Sequence, residues 1–181
     1  MLQERINKLI QTFKNQELKH LLCELDLDQL EADIAECRDV LNQKELARAD
    51  RYVVDSPRIQ FSVTRACLRL LLGGLLDQDP KAIQFAKNEW GKLYLAKSTL
   101  QFNVSHTKQK AVILISPNAN IGVDIEQVQE RFAVKNISNR FFSDAEKQWL
   151  SKFEGAALAE QFFKIWCGKE TVSKAIGLGV T

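Results

Sequence analysis

The segment Ile121-Gly122-Val123-Asp124-Ile125-Glu126 sets two carboxylates two positions apart. In an extended backbone successive side chains alternate. Asp124 and Glu126 therefore share one face, and Val123 and Ile125 take the other, toward a core. Neighbouring like charges repel unless they are solvated, protonated or bridged by a cation. A hard divalent ion removes the repulsion, and Mg²⁺ characteristically takes one or two carboxylates together with phosphate oxygens. A solvated D-x-E on an edge strand accounts for the same residues without an ion, so this pattern alone leaves both readings open.

Two other segments carry residue types suited to phosphate chemistry. Glu170 and Lys174 stand four apart, on one helical face. They read either as a surface ion pair worth about 0.3 kcal/mol or as a third carboxylate for a metal beside a cation for a phosphate. Trp166, one turn earlier, packs beneath such a site or in a plain core. His106 follows Ser105 in the run Phe102-Asn103-Val104-Ser105-His106-Thr107, where the end of a strand can present it to a phosphate. A structural histidine is the competing reading, and His20 is read as structural.

The elements that must position these groups follow from periodicity. Leu2, Ile6, Leu9, Ile10 and Phe13 keep one face of a helix over residues 2–22. Residues 21–27 alternate as a short strand. Asn42 with Glu45 is a helix start running to about Tyr52. Asp55-Ser56-Pro57 opens another helix, which Gly73-Gly74 should end. Strands are expected at 80–87, 92–95, 102–104, 110–116 and 121–128, with a turn at 88–91. Ser143 and Glu146 form a capping-box pattern, and a long helix runs from about Ala156 to Ile176, stopped by Gly177. The order is mixed α+β with no obvious repeat.

The 181 residues suffice for one domain or two small halves with a real core. A net charge of +2 argues against a dedicated nucleic-acid binder. Cys23, Cys37, Cys67 and Cys167 form no C-x-x-C pair, so they read as free thiols rather than a zinc site or a disulfide framework. The charged start MLQERINK lacks a signal-peptide core, and the apolar run at 70–76 is too short to span a bilayer. A soluble cytoplasmic protein with no membrane partner is the expectation.

These segments, in this order, resemble the 4′-phosphopantetheinyl transferases, most closely the surfactin-type subfamily with two similar halves in one chain. The family's (I/V)-G-(I/V)-D-(I/L)-E matches residues 121–126, and W-x-x-K-E-(A/S)-x-x-K-x-x-G matches 166–177. F-N-(I/L/V)-S-H matches 102–106, and R-F-F-S-x-x-E matches 140–146. Residues 45–52 and 58–72 resemble the N-terminal half, so the likeness covers about 40–181.

The resemblance implies an α+β fold of two similar halves with pseudo-two-fold symmetry. It divides the chain into an N-terminal helical extension at 1–16, a first half at 17–105 and a second half at 106–181 carrying a metal site. It implies Mg²⁺ held by Asp124, Glu126 and Glu170. Lys174 and His106 would contact the diphosphate of coenzyme A, with Ser105 beside them, and Arg48, Arg58 and Lys92 would grip its 3′-phosphate. The implied reaction is attack of a carrier-protein serine on the β-phosphate, releasing adenosine 3′,5′-bisphosphate, with Glu170 the candidate base. Acyl or peptidyl carrier proteins are the implied partners, and the expected state is a monomer. A basic or apolar patch should receive an acidic carrier; Phe132, Phe141 and Phe142, with Lys135 and Arg140 near them, are the candidates, and a plain core role is the competing reading for the phenylalanines.

The chain departs from the pattern at Leu93, where the family has proline, at Gly168 within the last helix, and at Thr171. Relatives continue past the position of Thr181, so the second half is expected to be short. Competing readings are a relative that binds coenzyme A without efficient transfer, and a helical interaction protein with solvated carboxylates. No P-loop or Rossmann glycine pattern supports another phosphate enzyme.

Overall fold

The computed structural model describes residues 2–16, 18–129 and 133–178. The first helix, α1 (Leu2–Asn15), buries Leu2, Ile6, Ile10 and Phe13 along one side. It stops short of residue 22, and the chain turns into strand β1 (Leu21–Asp26), whose Leu21, Cys23 and Leu25 face the core. Helices α2 (Ile34–Val40) and α3 (Gln43–Ala49) follow. At α3, Asn42 and Glu45 make the reciprocal capping box that the sequence suggests.

Helix α4 (Asp55–Leu76) runs through the middle of the main core, packed by α1, α2 and α3. Gly73 and Gly74 do not end it; it continues to Leu76, and Asp77 closes it in the left-handed conformation. Its length and composition would suffice to cross a bilayer, yet its middle is buried within the fold and carries Arg69, 1% exposed. Such a charge needs partners. Arg69 donates to Glu45 at 2.6 Å and to the main-chain carbonyls of Pro80 at 2.5 Å and Ile83 at 3.2 Å.

Strand β1, β4 (Gln101–His106) and β5 (Lys110–Ser116) form an antiparallel sheet in the order β1-β5-β4. Strands β2 (Phe85–Lys87) and β3 (Leu93–Leu95) make a separate ribbon, with a short 3₁₀ turn at Pro80–Ala82 where a strand is expected. His20 is structural, its Nδ1 lying 3.1 Å from Ser116 Oγ. Strand β5 is the central strand, pairing with β1 on one side and β4 on the other.

A second core unites α5 (Val134–Phe141), α6 (Asp144–Leu150) and α7 (Gly155–Ile176) around Phe142, Leu150, Phe162 and Phe163. Ser143 and Glu146 cap α6, and Gly177, at φ +79°, ends α7. One succession of elements occurs twice. A capped seven-residue helix precedes a 22-residue helix at α3–α4 and again at α6–α7. In both, the capping glutamate binds a cation of the long helix: Glu45 with Arg69, and Glu146 with Lys169 at 2.9 Å. These bonds from Ser143 and Lys169 hold the Glu146 carboxyl below its ordinary pKa despite burial.

Candidate active site

The expected strand at 121–128 is an extended segment outside the backbone ladder. The reason lies in β4. Its Asn103 Oδ1 accepts from Val123 N at 2.9 Å, and Ser105 Oγ accepts from Ile125 N at 3.3 Å. Side chains thus satisfy amides that a neighbouring strand would otherwise take. Gly122 lies against α7, where a Cβ would stand 1.9 Å from the Thr171 carbonyl oxygen and 2.7 Å from Ala175 N. Only glycine permits that approach, and it brings Asp124 up to the side chains of the last helix.

Burial also departs from simple alternation. The Asp124 side chain is only 4% exposed, whereas Val123 and Ile125 are half-buried and Glu126 is exposed. Asp124 Oδ1 accepts from Lys174 Nζ at 2.6 Å and from Ser105 Oγ at 2.7 Å. Lys174 Nζ also donates to Ser105 Oγ at 3.0 Å. The serine hydroxyl thereby uses its one donor and both acceptor positions. Asp124 Oδ2 is buried without a hydrogen-bond partner.

Around this pair the carboxyls feel one another. Desolvation first, then the charges of Asp124 and Glu170, raise the Glu126 pKa above its ordinary value. Glu170 is raised by desolvation and by Asp124, against the opposing charge of Lys174. Burial, followed by interaction with Asp124, pushes the Cys167 thiol up to about 12, so it stays protonated. Cys23, Cys37 and Cys67 are buried free thiols, also raised by burial.

Among the described residues no three His, Cys, Asp or Glu side chains already converge as a metal shell. The donor chemistry nevertheless suits a hard cation, because it offers three carboxylates, one with a buried oxygen lacking any partner. In this arrangement the Lys174 ammonium supplies the countercharge.

Two cavities adjoin along β3 and β4, sharing Gly91, Leu93 and Val104. One, of about 360 Å³, has Glu170 and Lys174 on its wall. The other, of about 280 Å³, gathers Arg48, Arg65, Lys87 and His106 around Phe61. Arg48 stacks on Phe61, its guanidinium carbon 4.6 Å from the ring centre. Desolvation, with the charges of Lys174 and Arg48, lowers the His106 pKa.

The structure therefore joins Asp124, Ser105 and Lys174 by hydrogen bonds, with Glu126 and Glu170 near enough to feel the charge of Asp124, and puts Arg48 and His106 in the adjoining cavity. Arg58 stands apart: it pairs with Asp55 on the surface and lines neither cavity. Lys92 lines the first cavity, but its ammonium donates to main-chain carbonyls. Sequence reasoning misses Arg65 and Lys87. A signal existed for Arg65, which lies two turns beyond Arg58 on the same helix. Trp166 belongs to the second core, edge-on to Phe141 at 5.7 Å. Phe142 is core as well, Arg140 stacks on Phe141 and Lys135 is exposed. Phe132 lies outside the described residues.

The family model for the 4′-phosphopantetheinyl transferase superfamily matches residues 120–181. The 4′-phosphopantetheinyl transferase HetI of Nostoc sp. is 32% identical over 163 residues, which is 88% of this chain and 69% of that relative. The chain belongs to the 4′-phosphopantetheinyl transferase superfamily. The 4′-phosphopantetheinyl transferase gsp of Aneurinibacillus migulanus is 33% identical over 130 residues, covering 72% of this chain and 53% of that protein. A 4′-phosphopantetheinyl transferase of Bacillus subtilis is 32% identical over 104 residues, covering 57% and 45%. The chain thus spans between about half and two thirds of these relatives. The superfamily match contains Asp124, Glu126, Glu170 and Lys174, the residues of the acidic cluster.

Proposed function

We propose that this chain transfers the 4′-phosphopantetheine arm of coenzyme A to a serine of an acyl or peptidyl carrier protein. The observation that carries this reading is the adjoining of two unlike cavities along β3 and β4. One has Glu170 and Lys174 on its wall, with Lys174 bonded to Asp124 behind it; the other is lined by two arginines, a lysine and a histidine. Coenzyme A has the complementary form, a diphosphate at one place and a separate 3′-phosphate at another. The relatives' names support the same class of reaction.

Asp124, Glu126 and Glu170 would hold Mg²⁺, which when bound supplies charge neutralisation on the phosphates. Lys174 holds the diphosphate from the α7 side, and His106 does so from the end of β4. Donors fixed before the reaction are the most effective at stabilising developing charge. Arg48, assisted by Arg65 and Lys87, holds the 3′-phosphate. The serine oxygen bonds to the β-phosphorus while the bridging oxygen leaves with adenosine 3′,5′-bisphosphate. Glu170, directly or through a bound water, accepts the hydroxyl proton. The exposed Lys135 and Arg140 suit an acidic carrier. We infer further that the recurring helix pairs α3–α4 and α6–α7 mark two similar halves.

Calorimetric titration with coenzyme A, with and without Mg²⁺, tests the binding part. The reading expects binding that Mg²⁺ strengthens. No heat with either ligand rejects it in favour of an interaction protein with solvated carboxylates.

A further inference from the structure

We propose that Lys92 is a positioning residue rather than a ligand of the coenzyme's 3′-phosphate: it caps the last turn of α7 and so sets where Lys174 stands. The inference rests on the transfer reading above. An α-helix ends with four main-chain carbonyls that lack partners within the helix. Lys92 Nζ takes two of those at the end of α7, Lys174 O at 2.5 Å and Ala175 O at 3.2 Å. Its third bond goes to Ile121 O at 3.3 Å, next to Gly122. An ammonium has three protons, and these three carbonyls use them all. A cation at a helix C-terminus is also favoured by the helix dipole.

The turn that carries Lys92 is built around the same helix end. Asn88 Oδ1 accepts from Trp90 N at 3.0 Å and Lys92 N at 2.8 Å. Asn88 Nδ2 donates to Gly177 O at 2.8 Å. A Cβ on Gly177 would stand 3.1 Å from that amide nitrogen, at a φ of +79° that already favours glycine. One turn therefore fastens β2 and β3 to α7 through Gly177 and to the acidic segment through Ile121. Lys174 is gripped at both ends, its carbonyl by Lys92 and its ammonium by Asp124 and Ser105. The cations suited to a separate phosphate lie in the other cavity, which Lys92 does not line.

The test compares Lys92→Met with the unaltered protein, using coenzyme A and 3′-dephospho-coenzyme A as alternative substrates. A positioning role predicts that kcat falls on the order of tenfold to a hundredfold with both substrates, the scale set by a misplaced group. The preference for coenzyme A over its dephospho form stays unchanged. In the ligand-free variant, amide hydrogen exchange over the last turn of α7 becomes faster. Loss of the preference, with dephospho-coenzyme A turnover intact, would make Lys92 a phosphate ligand and overturn the proposal, as would unchanged exchange at the helix end. Should Lys92→Met not fold, Asn88→Ala is measured in the same way: a fall with both substrates supports the clamp, and unaltered kcat refutes it. An unaltered protein that transfers nothing defeats the transfer reading instead, and the exchange measurement still judges the cap.

Discussion

Lys174 lies across the buried carboxylate of Asp124, its Nζ 2.6 Å from Oδ1, with Ser105 Oγ bonded to both groups. Lys174 is 27% exposed and Asp124 4%, so removing each partner has different consequences. Lys174→Met should abolish transfer and also lower stability by about 3 kcal/mol, because an unpaired charge stays buried. Asp124→Asn should abolish transfer at a smaller cost, because Lys174 can turn toward water. Denaturant unfolding of both variants checks this ordering, and equal losses would contradict it.

The carboxyls beside that pair give the protein a pH signature. Glu126 and Glu170 both have raised pKa values in the folded state. In protein free of divalent ions the folded form thus holds these protons more tightly than the unfolded form. Their contribution to stability is fully present below the ordinary carboxylate value and is lost as pH rises through the raised values. Replacing both by glutamine should therefore stabilise the ion-free protein more at about pH 7 than at about pH 4. Melting temperatures of variant and unaltered protein in chelator, compared across that range, decide the point. A difference that does not change with pH would remove the assigned cause.

Two glycines make opposite predictions. Gly122→Ala drives a Cβ into the backbone of α7, and neither side can yield by rotating a side chain. We expect a loss of about 2 kcal/mol or more, with transfer lost as Asp124 moves from Lys174. Gly168 lies in the interior of α7, and a Cβ there meets nothing within 4 Å. Gly168→Ala should stabilise by about 0.5–1 kcal/mol. Thermal unfolding reads both changes, and a stabilising Gly122→Ala would show that the close approach is wrong.

Arg48 and Arg58 separate in the same manner. Arg48→Ala should raise KM for coenzyme A by about tenfold, the worth of one charged hydrogen bond, and leave KM for the 3′-dephospho form nearly unchanged. Arg58→Ala, which removes a surface pair with Asp55, should alter neither beyond about twofold. Steady-state kinetics with the two substrates checks both, and a large effect at Arg58 would move the phosphate site.

Much of this site is legible in the sequence because its residues sit in short, ordered segments. Glu170 and Lys174 share a helix face by spacing alone, and both capping boxes lie within four residues. What escapes depends on contacts between distant segments. Nothing local reveals that Asn103 and Ser105 satisfy the amides of Val123 and Ile125, so residues 121–128 read as a strand when they are not one. The three carbonyls bound by Lys92 come from two segments well beyond it in the chain, and no pattern around Trp90-Gly91-Lys92 points to them. The twofold order of capped helix and long helix is hidden because Asn42 and Ser143, or Arg69 and Lys169, do the same work with different residues. Gly73-Gly74 reads as a helix stop, yet tertiary packing against Ile10 and Pro80 carries α4 past both.

The central claim is that this chain places a phosphopantetheine arm on a carrier serine through the cluster around Asp124. Intact-mass spectrometry of acyl and peptidyl carrier proteins, incubated with the chain, coenzyme A and Mg²⁺, measures that directly. The account predicts a carrier gaining the mass of one arm on its serine, and no gain when Asp124→Asn replaces the unaltered chain. Full modification by the Asp124→Asn chain, or no modification of any carrier by the unaltered one, would contradict it.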